Sequence, residues 1–274
     1  MRPHFHAMVW FLLRLISWYI RTSPFALGKG FLMWKLVHPL LPRSPASFVH
    51  ELPQGGKVLL QYSEVVGTTA LLTRRWEEAE TKALCRSAIP GSTAIDIGAN
   101  VGLVTVALAR AVGPAGRVLA VEPFPENVRR LIANINLNNL RNVEIFPFAL
   151  AEQRREVSLK IGADPAVHSI TNVFQGWKTE DAVSVETRTL DECWIEAGRP
   201  VVSVIKIDVE GVELAVLRGG ERLLARDQPT MMIEVADAQS LTALQVHLER
   251  FGYSWTQPHG FERWNYLFHA ASHE

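Results

Sequence analysis

The sequence predicts an α/β protein with a doubly wound sheet, and two observations lead to that prediction. From Ser92 onwards, short β-branched strands alternate with segments of helical composition, as in a parallel sheet covered by helices on both faces. Residues 201–207 form the most hydrophobic of these strands, as expected for a central strand buried on both faces. In such a fold the ligand lies outside the carboxyl ends of the strands, so the chemistry is expected there.

The predicted elements follow one another in a regular order. The strands are residues 93–97, 117–121, 143–146, 157–161, 183–187, 201–207, 231–235, 253–256 and 264–269. The helices are residues 103–112, 125–137, a short helix starting at Thr189, 211–218 and 240–251. Pro125 marks a helix start, because proline is well placed in a first helical turn.

The residues before this core are predicted to form an arm and a leading hairpin. Residues 1–56 are an apolar, basic helical arm that ends in a linker at 43–56, a stretch rich in Pro, Ser and Gly. Residues 57–62 and 68–73 are β-rich runs on either side of Gly67, which predicts a hairpin within 57–75. The predicted catalytic core occupies residues 76–270 and opens with a helix at 76–87.

The arm contains six Lys or Arg residues and no acidic residue before Glu51. Its apolar stretches, 7–20 and 31–41, are shorter than the roughly 20 apolar residues of a membrane span. Arg14 also interrupts the first stretch, and no A-x-A site supports a signal peptide. Two interpretations stay open: peripheral contact with a membrane through 7–41, which tryptophans beside basic residues favour, or packing on the main domain or on a second subunit of a homodimer.

Composition limits the classes of binding partner and indicates the cellular compartment of the protein. The chain has 28 Lys or Arg and 28 Asp or Glu, so its formal net charge is zero and a nucleic-acid partner is not expected. The two cysteines, Cys85 and Cys193, are far apart and form no CxxC motif, which favours a reducing compartment. We therefore expect a cytoplasmic protein, with the inner membrane face as the place for any peripheral contact.

A glycine turn follows the first strand of the core, from Asp96 to Gly102. Gly98 and Gly102 allow a sharp turn, but Asn100 stands where a dinucleotide-binding motif has its second glycine, and its side chain would obstruct a pyrophosphate. S-adenosylmethionine has no phosphate. Its amino group would meet Asp96, its carboxylate the backbone N–H groups at the helix start, and its ribose an acid at the end of the next strand. The residues predicted to bind S-adenosylmethionine, the methyl donor, are Asp96, Gly98, Ala99, Asn100, Gly102, Glu122 and Pro123.

A third segment, Lys206-Ile-Asp-Val-Glu-Gly211, is the most specific in the chain. Together with the turn at Asp96, with Glu122-Pro123 and with Ile233-Glu234, it resembles the FkbM family of methyltransferases over residues 76–268. The resemblance implies a class I methyltransferase fold, whose seven-stranded sheet has an antiparallel last strand. It also implies O-methylation of hydroxyl groups on sugars, glycolipids or natural products, with S-adenosyl-L-methionine as the donor.

Asp208 is the first candidate for the catalytic base, since it ends the central strand beside the expected donor. Lys206 points to the same face of that strand and is also a catalytic candidate, although a role as charge partner of the acids is favoured. Glu210 and Glu234 are candidate substrate-binding residues, and with Asp208 they form a candidate oxygen-ligand set for Mg²⁺ or Ca²⁺. His168 is a second candidate base, because imidazole titrates near working pH.

Two other functions stay open from the residues alone. An NAD-dependent oxidoreductase uses a similar sheet, although Asn100 argues against its cofactor. A methyltransferase-like fold kept as a non-catalytic, membrane-associated module is the other alternative, although the donor-site residues argue for turnover.

Overall fold

The computed structural model describes residues 3–23, 29–41, 46–62, 64–161, 168–169, 182–262 and 264–270. The chain divides into two compact units. Residues 1–50 and 59–76 form the N-terminal unit, and residues 51–58 and 77–274 form the sheet unit.

The N-terminal elements are mostly helical. They are α1 (Pro3–Thr22), α2 (Lys29–Phe31) with a π-helical segment (Leu32–Val37) and a 3-10 turn (His38–Leu40), β1 (Ser47–Glu51), β2 (Lys57–Gln61) and α3 (Val65–Thr73). Strands β1 and β2 form a two-stranded sheet. The core of the N-terminal unit joins α1 to α3 and to the π-helical segment through Leu13, Ile20, Val37, Leu41 and Leu72. The helical arm predicted from the sequence is therefore helical and packs within its own unit.

The predicted hairpin over 57–75 is wrong, because residues 65–73 form helix α3. Strand β2 pairs instead with β1, which lies in the predicted linker. A short run that is apolar on all sides does not distinguish a strand from a helix by its periodicity. Gly67 is a point of close approach rather than a turn: a Cβ there would lie 1.7 Å from the carbonyl oxygen of Gln61. The Thr68 hydroxyl fixes the same junction by donating to the Tyr62 carbonyl over 2.8 Å.

The sheet unit alternates strands and helices along the chain. Its helices are α4 (Glu78–Ser87), α5 (Leu103–Val112), α6 (Pro125–Leu137), α7 (Leu190–Glu196), α8 (Glu213–Arg218), α9 (Glu221–Asp227) and α10 (Ala238–Glu249). Its strands are β3 (Thr93–Ile97), β4 (Arg117–Val121), β5 (Val143–Phe146), β6 (Ala149–Leu150), β7 (Arg155–Ile161), β8 (His168–Ser169), β9 (Ala182–Arg188), β10 (Val202–Ile207), β11 (Thr230–Glu234), β12 (Tyr253–Thr256) and β13 (Asn265–Ala270). Helix α9 was not predicted.

Seven strands form the main sheet in the order β12-β13-β11-β10-β3-β4-β5. The pairs from β11 to β5 are parallel, whereas β13 is antiparallel to both β11 and β12. This is the class I methyltransferase arrangement, so the predicted fold and its antiparallel last strand are confirmed. Strands β3 and β10 are buried along their whole length, as two-sided burial of a central parallel strand requires.

The centre of the sheet is the point where the strand order reverses. Strands β3 and β10 lie side by side, with Asp96 opposite Lys206 and Ile97 opposite Ile207. From β3 the chain continues through β4 and β5 in one direction, and from β10 through β11 in the other. A crevice opens at the carboxyl ends of strands at such a reversal, which positions the site described below.

A smaller sheet of four strands, in the order β6-β9-β7-β8, follows β5. The strands predicted at 157–161 and 183–187 are present as β7 and β9, but they pair with each other rather than with the main sheet. Helix α7 begins after Thr189 as predicted, because Thr189 and Glu192 form a reciprocal capping box. Among the described helices, none combines the length and the apolar character that crossing a bilayer requires.

Candidate active site

A cavity opens at the carboxyl edge of the main sheet, beside the reversal point. Its empty volume, counted together with the open solvent at its mouth, is about 630 Å³. The residues that line it come from the ends of β3, β4 and β10 and from the smaller sheet: Ile97, Gly98, Asn100, Val121, Glu122, Pro123, Asn127, Ala149, Leu150, Leu159, Asp208, Val209, Glu210 and Val212. Four of the predicted donor-binding residues, Gly98, Asn100, Glu122 and Pro123, are among them.

The glycine turn is shaped by the end of the neighbouring strand. Gly98 has φ of +78°, and a Cβ there would lie 1.9 Å from the carbonyl oxygen of Asp208. Only glycine therefore lets the turn after β3 lie against the end of β10. Gly102 does not line the cavity in the described part of the chain; a Cβ on it would lie 2.6 Å from the Leu131 side chain. Its place is the close packing of α5 on α6.

The backbone N–H groups of this turn are used within the fold. Those of Gly98 and Ala99 both donate to the Val121 carbonyl over 3.0 Å, and that of Asn100 donates to a Glu122 carboxylate oxygen over 2.8 Å. The prediction that N–H groups at the helix start hold the donor's carboxylate stays a prediction, since α5 begins only at Leu103. The N–H groups of Gly98, Ala99 and Asn100 are already hydrogen-bonded to residues at the end of β4.

Glu122 has the geometry expected of a ribose-binding acid. Its side chain ends β4, is buried at 4% exposure and lines the cavity. One oxygen accepts from the Asn100 N–H and the other from the Phe124 N–H, over 2.8 and 2.9 Å. Burial raises the pKa of Glu122 to about 7, against the lowering effect of these hydrogen bonds. The Asn127 side chain hydrogen-bonds to the same carboxylate, which leaves it room to accept from at least one further hydroxyl group.

Asp96 lies deeper than the prediction placed it. It is fully buried and does not line the cavity in the described part of the chain. One oxygen accepts from the Thr105 hydroxyl over 2.5 Å, and the other has no hydrogen-bond partner among the described residues. Burial raises the pKa of this carboxyl. Because an unsatisfied buried oxygen is costly, the site favours a ligand ammonium or a bridging water at that atom, and in this respect it fits an amino-acid donor.

Lys206 and Asp208 form a buried ion pair on one face of β10. The Lys206 ammonium, in a residue 5% exposed, lies 2.9 Å from the Asp208 carboxylate and 3.3 Å from the Gly98 carbonyl oxygen. Burial by itself lowers the pKa of Lys206, but the carboxylates of Asp208, Asp96 and Glu77 outweigh it and raise that pKa above its usual value. A lysine held so firmly in the charged form is a charge partner rather than a base.

Three carboxylates meet beside this ion pair. Oxygen atoms of Glu77, Asp208 and Glu234 all lie within 4.8 Å of one another; we call this group the carboxylate triad. Glu234 ends β11, and Glu77 immediately precedes α4, which packs on β10 and β11. Sequence reasoning missed Glu77, because an acid ahead of a helix is ordinarily explained by the helix dipole. Its left-handed φ of +42° is the local sign of a special position, and only the structure reveals it.

The electrostatics of the triad are those of crowded like charges. The Asp208 carboxylate, followed by burial, raises the pKa of Glu234 to about 9. Burial and the neighbouring carboxylates raise the pKa of Glu77 to about 8, while Lys206 opposes them. Near neutral pH the triad therefore holds at least one proton, because three adjacent carboxylates do not all ionise beside one ammonium.

Glu210 is not part of the triad, so the predicted convergence of Asp208, Glu210 and Glu234 is corrected to Glu77, Asp208 and Glu234. Glu210 follows the end of β10 in a left-handed conformation, with φ of +55°, and lines the cavity. Burial, followed by the Asp208 carboxylate, raises the pKa of Glu210 to about 7. Its position agrees with contact to a ligand in the cavity.

The triad also changes the prediction of a metal site. Three carboxylate oxygens could together bind a divalent cation, which prefers such ligands. However, the Lys206 ammonium already lies at hydrogen-bond distance from Asp208. A cation would have to compete with that fixed positive charge.

His168 stays a prediction. Its backbone belongs to β8 and pairs with Ile161 of β7, so a short strand lies between the strands predicted at 157–161 and 183–187. Its side chain, and most of the predicted loop around it, lie outside the described residues.

Comparisons with known proteins add a family to this geometry. The model of the Methyltransferase FkbM domain matches residues 96–255, more than half of the chain. The curated relatives include the AMB antimetabolite synthetase AmbE of Pseudomonas aeruginosa, 25% identical over 54% of this chain and 8% of its own length. They also include Methyltransferase 1 of Beauveria bassiana, 26% identical over 46% of this chain and 57% of its own length.

The chain therefore matches only part of each of these relatives. Among solved structures, the methyltransferase FkbM of Methylobacillus flagellatus KT is similar, with 18% identity and a TM-score of 0.49. The match covers 74% of this chain and 52% of that one.

Proposed function

Because the chain belongs to the FkbM methyltransferase family, we propose that it is an S-adenosylmethionine-dependent O-methyltransferase. Its acceptor is a hydroxyl group on a sugar, a glycolipid or a natural product. The carboxylate triad beside the donor cavity is the observation that carries the choice of a hydroxyl. A neutral hydroxyl must lose a proton as it is methylated, and the triad is able to receive one.

The donor side of the proposal rests on Glu122 and Asp96. The Glu122 carboxylate lines the cavity and, beside its three hydrogen bonds within the fold, keeps a lone pair for a ribose hydroxyl. The Asp96 oxygen without a partner is suited to the donor's amino group, through a water molecule if the ammonium stays in the cavity. When bound, S-adenosylmethionine supplies an activated methyl group on its sulfonium.

The acceptor side rests on Asp208, which both lines the cavity and belongs to the triad. Asp208 accepts the hydrogen bond of the acceptor hydroxyl and orients its oxygen towards the methyl group. As the C–O bond forms, the O–H bond breaks and the proton passes to a triad carboxylate. The S–CH₃ electron pair returns to sulfur, so S-adenosylhomocysteine leaves neutral at sulfur. Much of the rate then comes from proximity and orientation.

Lys206 is a positioning residue in this proposal. Its ammonium holds Asp208 by an ion pair and holds the turn at Gly98 by a second hydrogen bond. It thus fixes the base relative to the donor-binding turn. Glu210, at the cavity wall beyond Asp208, is the candidate contact to the acceptor's other polar groups.

Turnover of labelled S-adenosylmethionine tests the proposal. The purified protein is incubated with fractionated lipid, glycan and small-molecule extracts, and we expect label in a product whose methyl ether survives mild base. Label in a base-labile ester or in an amine would contradict O-methylation of a hydroxyl. One relative is an antimetabolite synthetase, which supports including natural-product fractions.

The NAD-dependent oxidoreductase is the second candidate that the sheet allows. Calorimetry with S-adenosylhomocysteine and with NAD separates the two functions, and we expect binding of the first alone. The Asn100 side chain and the consumed N–H groups of the turn leave little to hold a pyrophosphate. Tight binding of NAD would overturn the methyltransferase proposal.

A further inference from the structure

The zero net charge of the chain hides two oppositely charged units. The N-terminal unit contains eight Lys or Arg residues and a single acid, Glu64, which gives a formal charge of +7. The sheet unit contains the other twenty basic and 27 acidic residues, a formal charge of −7. Glu64 is buried at 3% exposure. The described surface of the N-terminal unit is therefore basic, without an exposed carboxylate.

Helix α1 uses one face for the core of its unit. Leu13 and Ile20 lie about two helical turns apart and so share a face of α1. They are 6% and 8% exposed and pack in the core with Leu72. On the same face the Ser17 hydroxyl donates to the Leu72 carbonyl over 2.8 Å. This face already has its partners within the unit.

The other face of α1 carries apolar groups that the unit does not cover. Leu15 is 48% exposed and Trp18 is 60% exposed. Arg14 and Arg21, both exposed, lie on the same side, since residues three, four and seven apart share a helix face. Large apolar side chains flanked by arginines are the pattern of a helix that lies in a membrane interface.

The next segment repeats the pattern. Phe31, Leu36 and Leu40 are 61%, 46% and 57% exposed, and Lys35 between them is exposed as well. Exposed leucines and phenylalanine distinguish this surface from one built for nucleic acid, where basic groups meet phosphates without apolar side chains that need burial.

We propose that the N-terminal unit docks the protein on a bilayer surface rich in anionic phospholipid, through the outer face of α1 and the exposed apolar residues of 31–40. The basic residues pair with lipid phosphates, and Trp18 and Leu15 enter the boundary between headgroups and acyl chains. Charge complementarity favours an anionic bilayer as the partner, because the described surface of the N-terminal unit presents cations and apolar groups together and no acid. The inference does not depend on the methyl acceptor.

Vesicle flotation of the full-length protein tests it. We expect binding to phosphatidylcholine vesicles with about 30% phosphatidylglycerol, little binding to pure phosphatidylcholine, and weakening at high salt. Reversing two charges with Arg14→Glu and Arg21→Glu should weaken binding at least about 25-fold, at roughly fivefold for each of the two cations lost. Trp18→Ser should weaken it about tenfold through the lost apolar area.

The matched control reverses two exposed arginines of the sheet unit, with Arg141→Glu and Arg222→Glu, for the same change in net charge. We expect its binding to equal that of the wild type. Thermal unfolding of every variant checks that the fold is kept, since all four arginines are exposed.

Three results would overturn the proposal: no preference for anionic vesicles, equal weakening by the control, or a concentration-dependent dimer that Trp18→Ser dissociates while lipid binding is unchanged. The last would assign this face to a second copy of the chain.

Discussion

Two groups of acids lie at the same edge of the sheet, and they are held in opposite ways. Glu122 is surrounded by donors, the Asn100 N–H in the turn after β3 and the Phe124 N–H just beyond the end of β4. The carboxylate triad is surrounded by its own charges, with Lys206 as its cationic neighbour. A carboxylate satisfied by backbone dipoles is suited to accept hydroxyl groups, whereas crowded carboxylates are suited to exchange a proton.

Asp208→Asn gives the largest expected effect, because it removes both the base and the partner of Lys206. We expect turnover to fall by about 10²–10⁴-fold, the usual contribution of a positioned acid or base. Affinity for S-adenosylhomocysteine, measured by calorimetry, should change less than about threefold, because the proposed function assigns donor binding to Glu122.

Asp237→Asn is the matched control, an exposed acid at the start of α10 where asparagine caps the helix equally well. It should leave both quantities unchanged. Undiminished turnover in Asp208→Asn would remove Asp208 from the mechanism.

Glu122→Gln is expected to weaken binding of the methyl donor rather than the chemical step. Hydrogen bonds from ribose hydroxyls to a charged acceptor contribute about 1.5–3 kcal/mol, so the Kd for S-adenosylhomocysteine should rise roughly 10- to 100-fold. Turnover at saturating donor should fall much less. Glu126→Gln, on the half-exposed first turn of α6, is the control. If donor affinity is unaffected while turnover collapses, the roles of the two groups are exchanged.

Glu234→Gln is expected to change how stability depends on pH. Glu77 and Glu234 have pKa values raised from 4.5 to about 8 and 9, so the folded state keeps protons that the unfolded chain releases. Their contribution to the free energy of unfolding is complete below pH 4.5 and is lost as pH rises through 8 to 9. Between pH 6 and 9 the variant should lose stability less steeply than the wild type, by up to about 1.4 kcal/mol per pH unit.

Urea denaturation at several pH values measures this difference. Glu249→Gln, on an exposed position of α10, should reproduce the wild-type curve. Parallel curves for wild type and Glu234→Gln would mean that the triad does not hold a proton in the folded state.

Removal of metal is expected to have the smallest effect. Since Lys206 already pairs with Asp208, EDTA should change turnover less than about twofold, which is below the effect of losing a catalytic Lewis acid. Loss of activity in EDTA and its recovery with Mg²⁺ would instead make the triad a metal site. Glu122 would then still belong to the methyl-donor site, whereas the carboxylate triad would bind a cation instead of exchanging a proton.

The sequence predicted most of the fold because the sheet unit obeys local rules. Strand β12 and helices α5 and α6 have the predicted bounds, since β-branched runs, glycine stops and Pro125 are signals within a few residues. The errors fall where local signals conflict. Residues 65–73 are apolar on all sides, so a helix that packs at Gly67 was taken for a strand after a turn.

The candidate site divides in the same way. The sequence by itself determined where the methyl-donor site is expected, because the glycine turn, Glu122 and Asp208 each lie at the end of a strand. Parallel strands bring their carboxyl ends to one edge of the sheet. Only the tertiary structure decided the triad. Glu77 reaches it because α4 packs across β10 and β11, and Glu210 leaves it because the chain turns left-handed after β10. Distance in space between residues far apart in sequence, and the charge repulsion that follows, exist only once the sheet has formed.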